Sequence, residues 1–407
     1  MSDPNHSPQR GPPWIPRRAI SITLIEIEAS FEHSNSQSPA SSATGVPMDI
    51  SHHTSTTTPA LAAPFFPLGP QPKGLGEQFQ KNQDEILNQV IAYNNSQQNE
   101  PMVQRGDNPP LQGPDGHLPK RLILVRYGNQ TLPAHVNARM VEVPAHLDIQ
   151  HINPAVDYSL HTEYSSKPRR FDSPLLEGLD SLKVSHRNGV PEQWTSVAWA
   201  REYAVLVKRL VAGGLPPSQI EIHPPFCSSA ATTGVFLERY EAFEEAIQAG
   251  YPGCGIVMEN RSGTKHPHKF LMSDSGSILA MGQALQQTNL KLGIALDVPQ
   301  MFTAAYGSKH AVGLEAVMLL SQLMPIHDRI HTLHLWGRAA GGGAHGGGLD
   351  GLFDLKTDTK RACMQALRDL ISDGDSRYLV LEVRRATDVA GIIQDLEDAG
   401  MVIESTL

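Results

Sequence analysis

Two hydrophobic periods alternate along this chain. Short runs with every second position apolar, or apolar throughout, predict strands; stretches with apolar positions three to four residues apart predict helices. Strands are expected at 19–29 (AISITLIEIEA), 121–127 (RLILVRY), 156–164, 219–226, 255–260, 290–297, 330–336 and 377–383. Helices are expected at 75–95, 194–214, 236–250, 275–289, 311–324, 356–372 and 386–400. The helix at 194–214 has Thr195 or Ser196 near its start as a cap and glycine at its end. Eight strands, mostly followed by helices, form the pattern of an α/β (β/α)8 TIM barrel. An open doubly wound sheet is the competing arrangement, but no GxGxxG follows the first strand.

Composition modifies this picture mainly at the N-terminus. Residues 1–17 are rich in Pro, Ser and Arg and read as a disordered tail, and 32–75 is a Ser/Thr/Pro-rich, low-complexity insertion. The barrel domain is therefore expected over 18–407, with that insertion inside it. The net charge of −9 argues against a chain that coats nucleic acid by bulk charge, while leaving room for a local basic groove. Three cysteines without a CxxC offer neither a disulfide framework nor a thiolate metal site, so a reducing, cytoplasmic or nuclear compartment is expected. No apolar run is long enough to span a membrane, and the first residues lack an apolar signal core. A monomer is expected.

Chemistry in such a barrel collects where strands end. Strand three ends near His161, strand four at His223, strand five at Glu259 and strand six at Asp297; strand seven carries His334 and strand eight Glu382. Imidazoles and carboxylates are the ligands that zinc, manganese and iron accept. Each residue alone has a plainer reading. His161 suits a hydrogen-bonded core position, Asp297 a loop cap, and Glu382 an ion pair with Arg384 or Arg385. Six such residues at one barrel edge point instead to a metal site. The spacings fit one βα unit each: 36 residues from His223 to Glu259, 38 on to Asp297, and 37 on to His334.

The local motifs resemble the endonuclease IV family of apurinic/apyrimidinic endonucleases, within the wider xylose isomerase-like barrels. "LHTEY" matches that family's strand-three histidine followed by tyrosine, here His161 and Tyr164. "IEIHPPF" resembles its strand-four histidine motif, and "VMENRSG" keeps Glu259, Asn260 and Gly263 in step. "IALDVPQMFTAAYG" keeps Asp297, Phe302, Ala304 and Tyr306, and "LHLWG" and "LVLEV" fit strands seven and eight. "HGGGLDG" keeps His345, Asp350 and Gly351. The resemblance runs over roughly residues 156–383.

The resemblance implies a metal-dependent DNA endonuclease acting on abasic or damaged sites. His161, His223 and Glu259 would hold one metal; Glu259, Asp297, His334 and Glu382 a second, with Glu259 bridging. Zinc is the usual ion, with Mn or Fe(II) as alternatives. The family's third metal uses a histidine three residues after the strand-six aspartate and an Asp-x-His pair after strand seven. Here Gln300 and Gly343 occupy two of those places and His345 alone remains, so two ions are expected. Glu259 or Glu382 would orient the attacking water, and Arg338 or His345 would take over charge on the scissile phosphate. The basic loops 165–170 and 260–269 would face DNA. Two alternatives use the same residues. One is a single-metal sugar isomerase or epimerase of the wider barrel group; the other is a DNA-binding relative without catalysis.

Overall fold

The structure is a computed structural model, and it describes residues 120–145, 154–162, 173–183, 186–187, 190–263, 269–307, 312–338 and 347–404. The expectations at 1–17, 19–29, 32–75, 75–95, 165–170, Tyr164, Gly343 and His345 lie outside the described residues.

Eight strands close a parallel barrel: β1 (Lys120–Arg126), β2 (Met140–Pro144), β3 (Tyr158–His161), β4 (Gln219–Ile222), β5 (Gly255–Glu259), β6 (Gly293–Asp297), β7 (Ile330–Leu335) and β8 (Arg377–Leu381). Each is hydrogen-bonded to the next, and β8 returns to β1 through the pairing of Leu122–Val125 with Arg377–Val380. A ninth strand, β9 (Met401–Glu404), adds to the first half of β1. The fold is the expected (β/α)8 barrel, with two changes at its start. The barrel closes among the described residues alone, and "RLILVRY" supplies its first strand. The second strand, "MVEVP", was missed: five residues following a turn-rich stretch give too short a pattern to stand out.

The helices follow from β3 onward: α1 (Val197–Val211), α2 (Thr233–Gly250), α3 (Ser275–Gln286), α4 (Val298–Tyr306), α5 (Glu315–Ser321), α6 (Thr357–Leu370) and α7 (Ala386–Asp398). Their starts show why the chain turns helical there. Ser196 Oγ accepts from Trp199 N at 3.0 Å to cap α1, and Asp274 and Ser277 cap α3 reciprocally. α4 begins directly off β6, with Asp297 as its cap and Pro299 in its first turn.

The main apolar core lies between strands and helices. It holds Leu124, Leu160, Ile220, Ile222, Leu296, Leu333 and Leu381 from the strands, among many others. The opposite face of the strands points into the barrel, because successive side chains alternate. That interior is divided. Val125, Met140 and Val380 form a small separate apolar cluster on β1, β2 and β8. On the other side Gln219 of β4 donates to Ser159 Oγ of β3 and accepts from Thr332 Oγ1 of β7, at 3.2 and 3.0 Å. Since β4 and β7 are not neighbours in the sheet, this bond crosses the interior. It is a polar floor, and the candidate site stands one layer above it.

Candidate metal centre

The residues one step above that floor are His161, Glu221, Glu259, Asp297, His334 and Glu382, each two residues further along or at the end of its strand. All are at most 9% exposed, as is His223 just beyond β4. Neighbouring bonds fix their backbones. Thr162 N and Oγ1 both donate to Glu221 O, at 3.0 and 2.7 Å, and Tyr203 Oη donates to Thr162 Oγ1 at 2.8 Å. Asn260 and Asp297 exchange side-chain and backbone bonds at 3.0 and 2.9 Å, tying the ends of β5 and β6. Gln130 Nε2 donates to Leu381 O and Val383 O, both at 2.7 Å, on either side of Glu382.

Trp194 Nε1 donates to His223 O at 2.8 Å. Its own backbone is left-handed, at φ 57°, a costly conformation for a bulky residue. Its ring packs against Trp199, Tyr203, Phe236, Tyr240 and Phe243, which offsets that cost.

Two sets of donors converge. His161, Glu221, His223 and Glu259 form one, and Glu259, His334 and Glu382 the other; within each, the ligand atoms lie within 4.8 Å of one another. In the first set the two Nε2 atoms of His161 and His223 stand 3.2 Å apart. Glu259 Oε2 is 2.7 Å from His223 Nε2 and 3.7 Å from His161 Nε2, and Glu221 Oε1 is 3.5 Å from His161 Nε2. With metal–ligand bonds of about 2.1 Å, donors at the corners of a tetrahedron stand about 3.4 Å apart. The first set therefore fits a divalent ion. In the second, His334 Nδ1 is 2.7 Å from Glu382 Oε1 and 3.9 Å from Glu259 Oε1. Glu259 thus turns one oxygen toward each set.

The charge balance points the same way. Glu142, Glu221, Glu259, Asp297 and Glu382 are five buried carboxylates beside three imidazoles. With all five ionised the cluster would be net negative even with every imidazole protonated, and burying net charge is costly without a counter-ion, so either protons or cations must offset it. The titrations show that pressure. Burial raises the Asp297 pKa well above the ordinary carboxylate range, and the charges of Glu382 and Glu259 add to it. Burial also raises Glu142, partly offset by His161. Burial alone would lower His161, but the carboxylates of Glu221, Glu142 and Glu259 outweigh it and lift the imidazole to about 10. His334 is raised well above its usual value on the same balance, chiefly by Glu221.

Sequence reasoning missed two of these residues. Glu142 belongs to the missed β2; its Oε1 lies 3.2 Å from His161 Nδ1, leaving Nε2 to face the site. A carboxylate on the far ring nitrogen is the usual partner of a metal-binding histidine. Glu221 shares the inward face with His223 two residues on, a signal that reading only the strand ends passed over.

The structure also bears on the plainer readings. Glu382 pairs with His334, while Arg385 pairs with Asp388 at 2.8 Å. Asp297 does act as a cap: Gln300 N donates to its Oδ1 at 2.8 Å. Its two oxygens also take the Trp336 indole N–H, at 3.1 and 3.0 Å, and Asp297 is in neither convergent set. Gln300 uses its side chain as a brace. Its Nε2 donates to Glu259 Oε1 at 3.1 Å, and its Oε1 accepts from Ser262 N at 2.9 Å. Replacing Trp336 by Phe removes the indole donor from a buried carboxylate. The metal-free protein is expected to lose about 1–3 kcal/mol, measured as a lower urea midpoint; an unchanged midpoint would contradict the role of this bond.

Arg338 is buried and its Nη2 reaches Thr303 Oγ1 at 3.3 Å. The glycines around it have a steric reason. A Cβ on Gly337 would stand 1.7 Å from Gly348 O, and one on Gly351 2.1 Å from Arg338 O. The two ends of the loop after β7 therefore pack backbone to backbone.

No protein-family model matches this chain, and none of the curated proteins does. Among solved structures, one likeness is to a xylose isomerase domain protein from Alicyclobacillus acidocaldarius subsp. acidocaldarius. It has 14% identity, covers 69% of this chain and 98% of that one, and has a TM-score of 0.36. Another is to the cellulose synthase subunit Z of Clostridioides difficile, at 9% identity, 70% and 100% coverage, and a TM-score of 0.33. At these scores neither likeness bears on what this chain binds. Among the described residues, no helix is long and apolar enough to cross a membrane.

Proposed function

We propose that this chain is a divalent-metal-dependent hydrolase that cleaves a phosphodiester of DNA at an abasic or damaged site. Zinc is the first choice of ion, and two ions per chain are expected. The supporting observation is the meeting of His161 and His223, Nε2 to Nε2 at 3.2 Å, on Glu259. A one-metal isomerase built on Glu259, Asp297, His334 and Glu382 has no need of two converging imidazoles. The motif resemblance supplies the substrate class.

Divalent ions in the two donor sets supply Lewis acidity toward a phosphate oxygen and an attacking water. His161, His223 and Glu259 would hold the first, and Glu259, His334 and Glu382 the second. The residues themselves do the rest. Glu142 fixes the His161 ring, and Gln300 fixes the Glu259 carboxylate. Glu259 and Glu382 offer oxygens that orient a water and accept its proton. Arg338 stays cationic at neutral pH and offers charge-assisted bonds to a phosphate.

The test is an abasic-site duplex incubated with the purified protein, with added zinc or manganese and with chelator. Cleavage that stops on chelation and falls steeply with salt supports the proposal. Binding without cleavage at every metal tried would leave a non-catalytic DNA-binding barrel. Interconversion of a ketose and an aldose with one bound ion would establish the isomerase instead.

A further inference from the structure

Glu221 is fully buried in β4, one layer below the strand end. Its two oxygens have different surroundings. Oε2 lies 3.0 Å from His334 Nε2, across the barrel. Oε1 makes no hydrogen bond and is shielded from solvent. It lies 3.5 Å from His161 Nε2, on the side where the two imidazoles and Glu259 converge. A buried carboxylate oxygen that takes no hydrogen bond is costly in a barrel interior unless a cation binds it. The backbone beneath it is held by both donors of Thr162, and the side chain by the Oε2 bond to His334.

We infer that Glu221 is a direct ligand of the first metal position, completing a His161–His223–Glu259–Glu221 set. The inference rests on the metal-binding part of the reading above and not on the substrate. It has a second consequence. With Oε1 on the ion, Oε2 remains the acceptor for His334 Nε2–H. That bond fixes the His334 tautomer and leaves Nδ1 as the atom facing Glu259 and Glu382. Glu221 therefore links the two donor sets, and filling the first position prepares the second.

Wild-type protein, Glu221→Gln and Glu221→Asp are stripped with chelator and titrated with zinc against a chromophoric competitor, and with cobalt(II) by visible absorption. Gln keeps the size and the acceptor for His334 but is a poor ligand. Asp keeps the charge but falls short by one methylene. Both variants are expected to bind the first ion at least about tenfold more weakly, with an altered cobalt spectrum.

Wild-type affinity and an unchanged spectrum in both variants would overturn the inference. If Glu221→Gln does not fold, Glu221→Asp decides alone. A purely structural role would lower metal-free stability while leaving the spectrum as it is. The substrate reading fails separately: a wild-type protein that binds metal through Glu221 but cuts no abasic duplex refutes the hydrolase and leaves this ligand in place.

Discussion

Glu259→Gln is expected to cost more metal and more activity than any other single change at this site. Glu259 is the residue the two donor sets share. Its Oε2 lies 2.7 Å from His223 Nε2, and its Oε1 is 3.1 Å from Gln300 Nε2 and 3.9 Å from His334 Nδ1. An amide in its place has no charge, and one of its two ends is an N–H₂ that repels a cation. Loss of a partner outside the ligand set typically costs 10–100-fold in affinity or activity. Loss of the shared ligand should exceed about 100-fold in any metal-dependent turnover. Metal content after dialysis should fall in both positions together. The fold should survive, because the change removes a buried negative charge from an already negative cluster. Elemental analysis and a urea midpoint check both statements; wild-type metal content in a folded Glu259→Gln would show that Glu259 does not bridge.

The parts of this site that the sequence made legible share one physical property. Strands β3 to β8 are each followed by a helix or a clear breaker, so their ends are marked, and the residue at each end can be read off. That is why His161, His223, Glu259, Asp297, His334 and Glu382 were found. Glu142 was hidden because β2 is five residues long, is not followed by a marked helix, and is preceded by thirteen residues of turn and coil, 127–139. The alternation in "AISITLIEIEA" is as regular as that of any strand in the barrel, while the eight strands that close it all lie among the described residues, from 120 onward. Period alone does not tell which strands pair.

Glu221 was hidden for another reason. A strand that enters a barrel presents residues i and i−2 to the same interior, so a site can be two layers deep. The polar floor was a warning available in the sequence: Ser159 and Thr332 stand two positions before His161 and His334, and on β4 both Glu221 and Gln219 precede His223 on the same face, by two and four positions. What the sequence could not give is how Asp297 is used. As a strand-end carboxylate it looks like any other ligand. Only the structure shows the Trp336 indole bonded to both its oxygens and its place at the start of α4. Gln300 is a comparable case. Its replacement of a ligand type was visible, but not that its amide would brace Glu259.

The metal-free protein is expected to lose thermal stability as the pH rises from about 6.5 to about 10, and the metal-loaded protein to resist that loss. His161 is lifted to about 10, His334 is raised well above its usual value, and Glu142 and Asp297 are raised too. In every case the folded state holds its proton more tightly than the unfolded chain. The stability such groups contribute is complete below their unfolded values and disappears as pH climbs through the folded ones. For His161 that window runs from 6.5 to about 10. An ion at its Nε2 takes the place of a proton, so binding releases protons and tightens as pH increases. The gap in melting temperature between zinc-loaded and chelated protein should therefore widen from pH about 6.5 to pH about 9, by several degrees. His161→Gln should flatten the pH slope of the chelated protein and shrink the gap at every pH. A chelated protein whose melting temperature holds or rises over this range would mean that the imidazole is not held protonated by Glu221, Glu142 and Glu259, and that the donors do not face one another as described.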